Sequence, residues 1–187
     1  DKTERILIEA LEHAGAAVGR RAELIDLTQA DGSARAILRR ADGSEEAVVA
    51  RWVVGADGAG SAVRHAVGVP MEGSTYEQVF FLADVDADWP LGRGALAVNL
   101  SEAGFQAFFP LRGDRRMRVI GSLPADRLPA EDLSAEDVER LVRAQTGLHV
   151  PIERAHWTGI YRVHERMAPR FRVGRVFLAG DAAHLHS

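Results

Sequence analysis

The sequence predicts a mixed α/β (α+β) fold: a strand-turn-helix portion that binds ligands at its strand ends, interrupted by an inserted, mostly antiparallel sheet. Three observations carry this. The pattern of apolar strand, glycine, aspartate, then small residues occurs twice, in Val53-Val54-Gly55-Ala56-Asp57-Gly58 and in Val176-Phe177-Leu178-Ala179-Gly180-Asp181. Between them lie alternating, strand-like runs separated by glycine turns. Helical periodicity of useful length is confined to two segments, 3–14 and 135–146.

The elements follow in order. Ile6, Leu7, Ala10, Leu11 and Ala14 recur at helical spacing, and Gly15 stops that helix. Strand-like runs follow at Ala17–Arg20, Ala22–Gln29, Ala34–Arg39 and Glu46–Ala50, with hairpin turns at Asp31-Gly32 and Asp42-Gly43. Residues 51–56 read as a buried strand, Asp57-Gly58-Ala59-Gly60 as a tight turn, and Ser61–Val67 as a short helix ended by Gly68 and Pro70. Residues 77–88, 94–101, 104–111 and 116–123 form the antiparallel run, and 125–133 is a polar loop. Ser134 with Asp137 makes a loose capping box for a helix over 135–146. A long strand over 153–166 and a last strand over 173–179 complete the chain. The predicted divisions are 1–69, 70–171 and 172–187, the last returning to the first domain.

Composition excludes several classes. At 187 residues with 47% hydrophobic and 27% charged side chains, the chain can bury a core and reads as globular. A net charge of −4 and a pI near 6.0 argue against a nucleic-acid surface. The absence of cysteine excludes disulfides and thiolate metal sites. No apolar run approaches the roughly 18 residues of a membrane helix, and no signal peptide opens the sequence, so a cytoplasmic location is expected.

Both aspartates are placed where open α/β sheets bind ligands, at the carboxyl end of a strand beside a helix start. Free N–H groups there attract anions, and an aspartate can accept hydrogen bonds from sugar-like hydroxyls. The plain alternative makes Asp57 an Asp-Gly turn residue and Asp181 an N-cap.

The longer strings narrow this. VVGADGAGSAVRHAVGV, residues 53–69, resembles the Asp-Gly motif of the single-component FAD-dependent aromatic hydroxylases, the family typified by para-hydroxybenzoate hydroxylase. GRVFLAGDAAHLHS, residues 174–187, resembles their later Gly-Asp motif. The two aspartates lie 124 positions apart, room for the substrate domain that the family inserts, and FFLADVDADWP and GFQAFFPLRGD resemble that insert. The resemblance implies a partial Rossmann-like FAD-binding domain. It implies that Asp181 binds the ribityl chain of FAD while Gly180 and Ala182 let the flavin pass. It implies that Asp57, Gly58, Ser61 and Arg64 lie near the pyrophosphate, Arg64 as a fork facing phosphate oxygens. NADH or NADPH would reduce the flavin, and a flavin hydroperoxide formed from molecular oxygen would hydroxylate the ring. No catalytic residue is assigned.

The substrate pocket is expected on the inserted sheet, with Phe80, Leu82, Phe108, Phe109 and Tyr161 as lining; the alternative is that the phenylalanines pack the sheet core. Some benzoate hydroxylases hold a carboxylate with basic residues on this sheet, and Gln106–Leu111 offers little of that. A larger, apolar phenolic or polyketide-like ring is therefore expected. His164, His184 and His186 are not accompanied by a ligand set at metal spacing, so no metal is expected. The acids Glu131, Asp132, Glu136 and Asp137 read as a solvated face, and Arg112, Arg115, Arg116 and Arg118 as a soluble, basic hairpin edge. The family's Gly-x-Gly-x-x-Gly fingerprint and the loop after its Gly-Asp motif are not in these residues. The expectation is an internal piece of a longer enzyme, inactive alone. Runner-up readings are a related flavin epoxidase or reductase, and a ligand-binding module without cofactor.

Overall fold

A computed structural model describes residues 2–30, 32–102, 104–123 and 132–185. In chain order its elements are α1 (Lys2–His13), β1 (Ala22–Ala30), β2 (Ser33–Arg40), β3 (Glu45–Ala50), β4 (Val53–Gly55) and α2 (Ala62–Ala66). Then come β5 (Glu72–Ala87), β6 (Ala97–Ser101), β7 (Gly104–Pro110), β8 (Arg116–Leu123), α3 (Ala135–Thr146) and β9 (Ile152–Met167). The chain closes with β10 (Arg172–Val173), β11 (Val176–Leu178), a 3-10 turn (Gly180–Ala182) and β12 (His184–Leu185). The chain divides into two units, one from residues up to Glu72 plus Arg166–Leu185, the other Gly73–Glu165. The sequence markers Gly68 and Pro70 lie just before the first boundary, which falls at the start of β5, and the second falls near the end of β9.

The first unit is built on two small sheets. β1, β2 and β3 form an antiparallel meander. Asp31 lies outside the described residues; its partner in the expected turn, Gly32, takes φ +77°, which a side chain rarely adopts. The second sheet has the order β10-β11-β4, with β11 parallel to β4. Leu27, Ala34, Val63, Val69, Ala168, Val176, Leu178 and Ala183 form the core of the unit. α1 is helical as its periodicity predicts, yet Ile6, Leu7 and Leu11 remain exposed.

Three local expectations are corrected. Ala17–Arg20 is not a strand: Gly19 interrupts it and it joins no ladder among the described residues. Residues 51–56 are not a buried strand: only Val53–Gly55 pair, and Val54 and Trp52 stay exposed because β4 is a sheet edge. The single strand over 173–179 is two short ones, since the chain reverses at Gly174-Arg175 and β10 pairs back onto β11.

In the second unit the strand order is β9-β5-β8-β7-β6, antiparallel where the pairs are resolved. One face buries Val79, Phe81, Ala83 and Val85 of β5, Phe108 of β7 and Met117 and Val119 of β8, against Val138 and Val142 of α3. The sheet approaches closely there: a Cβ on Gly121 would lie 2.6 Å from the Phe81 ring. The capping box forms as expected, Ser134 accepting from the Asp137 amide while the Asp137 carboxylate accepts from the Ser134 amide. Gly147 ends the helix at φ +73°. Of the expected polar loop, residues 125–131 lie outside the described residues.

Candidate functional site

The parallel pairing of β4 and β11 sets Val53 against Val176 and Gly55 against Leu178, so the two strands end at one edge of the sheet. The Ala179 amide donates to the Gly55 carbonyl at 2.8 Å. The Asp-Gly turn and the Gly-Asp turn therefore emerge side by side. Gly55 is required by space rather than by dihedral angle: a Cβ there would lie 2.7 Å from Val63 and push α2 off the strand.

Asp57 turns inward. One carboxylate oxygen accepts from the Ser61 hydroxyl at 2.5 Å and the other from the Val63 amide at 3.1 Å. The Ser61 oxygen in turn accepts from the Arg64 amide at 2.9 Å. This is double N-terminal capping of α2. Partial burial works to raise the Asp57 carboxyl, but the Ser61 hydroxyl and the Val63 and Ala62 amides outweigh it and hold the group below the usual carboxylate range. The start of α2 is thus satisfied from within, rather than presenting its N–H groups to an anion.

Arg64 is 4% exposed. Its Nη1 donates to the Ala182 carbonyl at 3.1 Å and its Nη2 to the Ala59 carbonyl at 2.9 Å. One guanidinium thus ties the first turn to the second. This corrects the expectation of an outward fork: both terminal nitrogens are committed to backbone, and the Nε is buried and unpartnered.

Asp181 is the opposite case. It lies within the 3-10 turn, which makes no side-chain cap bond, and its carboxylate is exposed with no hydrogen bond or ion pair among the described residues. The helix expected to begin here is this single turn, followed by β12. Gly180 takes φ +57°, and the space where a Cβ would project from it is open. Ala182 is fully buried beneath the turn. A free carboxylate, an open glycine and small residues at a parallel strand end fit a hydroxyl-bearing cofactor chain lying against the backbone. Gly58, at φ +82°, is likewise open on its Cβ side.

The second unit carries the other expected residues. Phe80 and Leu82 lie on the face of β5 opposite the core, half-buried. Tyr161 stacks on Phe80 at 5.9 Å between ring centroids, and Phe105 meets Phe80 edge-on at 6.4 Å. A tyrosine hydroxyl is protonated at neutral pH, and partial burial pushes that of Tyr161 further upward. Phe109 is half-buried opposite Arg118. Phe108 is corrected to a core residue: it is 2% exposed, stacked on Trp89 at 4.2 Å and packed with the α3 face. Phe105 takes its place, and strand alternation from Phe109 through Ala107 is the signal that finds it.

Ion pairs run beside this aromatic group. Asp84 accepts two bonds from Arg118, at 2.8 and 2.9 Å. Asp86 accepts from Arg116 at 3.0 Å and pairs with His156 at 2.6 Å. Arg115 meets Asp88 and Glu153. The basic edge read from sequence is therefore neutralised at three of its arginines. Thr75 bonds His164 at 2.8 Å, and His184 packs on Phe171. No cluster of metal-ligating side chains occurs among the described residues, and no helix among them is long and apolar enough to cross a membrane.

The family described as FAD binding domain matches residues 1–187. The chain belongs to that family. This FAD binding domain chain is 33% identical over 190 residues to a flavin-dependent monooxygenase of Mycobacteroides abscessus, covering 100% of the chain and 39% of that protein. It is 33% identical over 167 residues to pentachlorophenol 4-monooxygenase of Sphingobium chlorophenolicum, covering 88% and 31%. Among solved structures, anhydrotetracycline hydroxylase from Streptomyces rimosus aligns with a TM-score of 0.75 at 26% identity, over 98% of this chain and 36% of that one. The Diels-Alderase of pyrroindomycin biosynthesis aligns at 0.77 and 27% identity, over 100% and 40%. The chain spans less than half the length of each of these proteins.

Proposed function

We propose that the protein carrying this chain is an FAD- and NAD(P)H-dependent monooxygenase that hydroxylates an aromatic ring, phenolic or polyketide-like. The observation that carries this reading is the asymmetry of the two aspartates. Asp57 is consumed in building the loop, while Asp181 is left free and exposed at the same strand edge. That is the arrangement of a ligand-binding carboxylate on a pre-organised support. The flavin-dependent and aromatic names among the relatives support the chemistry.

FAD, when bound, supplies the reduction by NAD(P)H and the activation of oxygen. The residues of this chain do the rest. Asp181 accepts hydrogen bonds from the cofactor's sugar-like hydroxyls, Gly180 leaves its backbone approachable, and Arg64 fixes both turns. Gly58, open on its Cβ side, would leave room for the pyrophosphate to pass the turn. In the second unit, Phe80, Phe105 and Tyr161 offer a stacking surface to the ring to be oxidised, with Leu82 and Phe109 beside them, and the Tyr161 hydroxyl is available to a phenolic oxygen. Molecular oxygen as co-substrate and a cytoplasmic location belong to the same proposal.

The test is incubation of the FAD-loaded protein with NAD(P)H, isotopically labelled oxygen and a panel of phenols. Ring-stimulated NAD(P)H oxidation with one labelled oxygen in an aromatic product is the expected result. The alignment with a Diels-Alderase favours a second reading, a flavoprotein that uses the fold for cyclisation. Flavin binding without oxygen incorporation would select that reading instead.

A further inference from the structure

We infer that Asp84 is a specificity-determining residue that masks Arg118, so that the aromatic face takes uncharged rings and disfavours aromatic carboxylates. The inference rests on the reading of this face as the substrate surface. Five residues carry it. Asp84 and Arg118 are register partners on β5 and β8, and the next partners toward the aromatic group are Leu82 and Ile120. Side chains two apart on a strand share a face, so Leu82 and Asp84 lie side by side, as do Ile120 and Arg118. Phe109, opposite Arg118 on β7, brings an aromatic ring to the same face.

A guanidinium in that position is the natural receptor for a ring carboxylate, because its fork matches two carboxylate oxygens. Here the fork is already filled. Nε and Nη2 of Arg118 donate to the two oxygens of the one Asp84 carboxylate. Asp84 is the less exposed partner, its side chain 19% accessible against 41% for Arg118. The neighbouring Arg116 is held in the same way on Asp86, which also pairs with His156. A ring bearing a carboxylate would meet Asp84 and Asp86 with Arg118 and Arg116 already engaged, whereas an uncharged ring meets a neutralised border and an apolar surface. The carboxylate is thus excluded by internal ion pairs, not by a lack of arginine.

The experiment is equilibrium binding to the FAD-loaded protein, followed by ligand fluorescence, with 2-naphthol and 6-hydroxy-2-naphthoate as matched probes. The wild type is expected to favour 2-naphthol by about tenfold or more. Asp84→Asn releases Arg118 and is expected to cut that preference by about five- to tenfold, through tighter binding of the naphthoate. Arg118→Gln on that background restores it. A preference unaltered by Asp84→Asn, or altered equally with Arg118 removed, overturns the inference, as does a wild type that binds the naphthoate as well as the naphthol. Asp86→Asn, which releases Arg116, reads the same preference if Asp84→Asn does not fold. Phe80→Ala separates the two levels. If it leaves 2-naphthol binding intact, the face is not the substrate surface and both readings fall. If it abolishes binding while Asp84→Asn has no effect, the masking alone is wrong.

Discussion

Arg64 and Ala182, 118 residues apart in sequence, meet at 3.1 Å, the guanidinium donating to the alanine carbonyl. The same side chain holds the Ala59 carbonyl at 2.9 Å. The Asp-Gly and Gly-Asp turns are therefore one assembly, joined by a buried cation rather than merely adjacent.

Arg64→Ala should remove both ties and leave two carbonyls unsatisfied. A loss of about 2–3 kcal/mol in the first unit is expected, read as a lower urea midpoint. Affinity for FAD should fall with it, because the turn that presents Asp181 is no longer held. Arg64→Lys should recover only part of either effect, since an ammonium does not span two carbonyls as a fork does.

Asp57 and Asp181 should respond in opposite ways. Asp57→Ala removes a cap and is expected to cost about 1 kcal/mol of stability. Asp181→Ala touches no internal bond and should leave the urea midpoint within about 0.5 kcal/mol of the wild type. Its effect should appear instead in flavin affinity, weakened about tenfold or more, as measured by fluorescence quenching on FAD titration.

The Asp57 interaction also has a pH signature. Its carboxyl is held below the ordinary range in the folded chain. The stabilisation is therefore complete above the ordinary carboxylate pKa of about 4 and is lost as pH falls through the lower, folded-state value. The stability difference between wild type and Asp57→Ala should be constant near neutrality and shrink on acidification below about pH 4. A difference that grows on acidification would mean that the neutral carboxyl is the better cap.

Phe108 and Phe80 give a further contrast. Phe108→Ala opens the core under α3 and should cost about 3–5 kcal/mol in thermal or urea unfolding. Phe80→Ala, on the half-buried face, should cost about 1–2 kcal/mol. Binding of an aromatic probe should follow the reverse order in variants that remain folded.

Where the sequence carried a local rule, the structure follows it closely. Ser134 and Asp137 predict the cap of α3 because the motif is complete within four residues. The edges of β7 and β8 are legible because alternation is strong and glycines punctuate it, whereas β5 begins at Glu72, five residues before the expected run, because its first residues are polar and carry no apolar alternation. Phe108 and Phe109 could not both line one pocket, since a strand sends neighbours to opposite faces. Once β7 begins at Gly104, its register puts Phe105 and Phe109 on the face that Phe108 leaves. The reversal at Gly174-Arg175 is two residues long and lies inside an apolar run, so periodicity passes over it. The Arg64 clamp has no sequence signature at all, because its acceptors are main-chain carbonyls of alanine, one of them 118 positions away. The masking aspartates were legible only as composition; their partners became visible with the register of β5 against β8.

The pairing of Val53 with Val176 has a consequence for how the molecule is made. A chain leaving the ribosome produces β4 long before β11 exists. Closing a flexible loop of that span costs roughly 4 kcal/mol of chain entropy, far more than three residue pairs recover alone. β5 and β9 lie next to each other, however, so the sheet of the second unit brings the two crossings together once it forms. The inserted unit then acts as an internal staple for the divided one. Substitutions in the α3 core would reach the Asp-Gly and Gly-Asp turns through assembly order, with no contact needed between the mutated site and the turns.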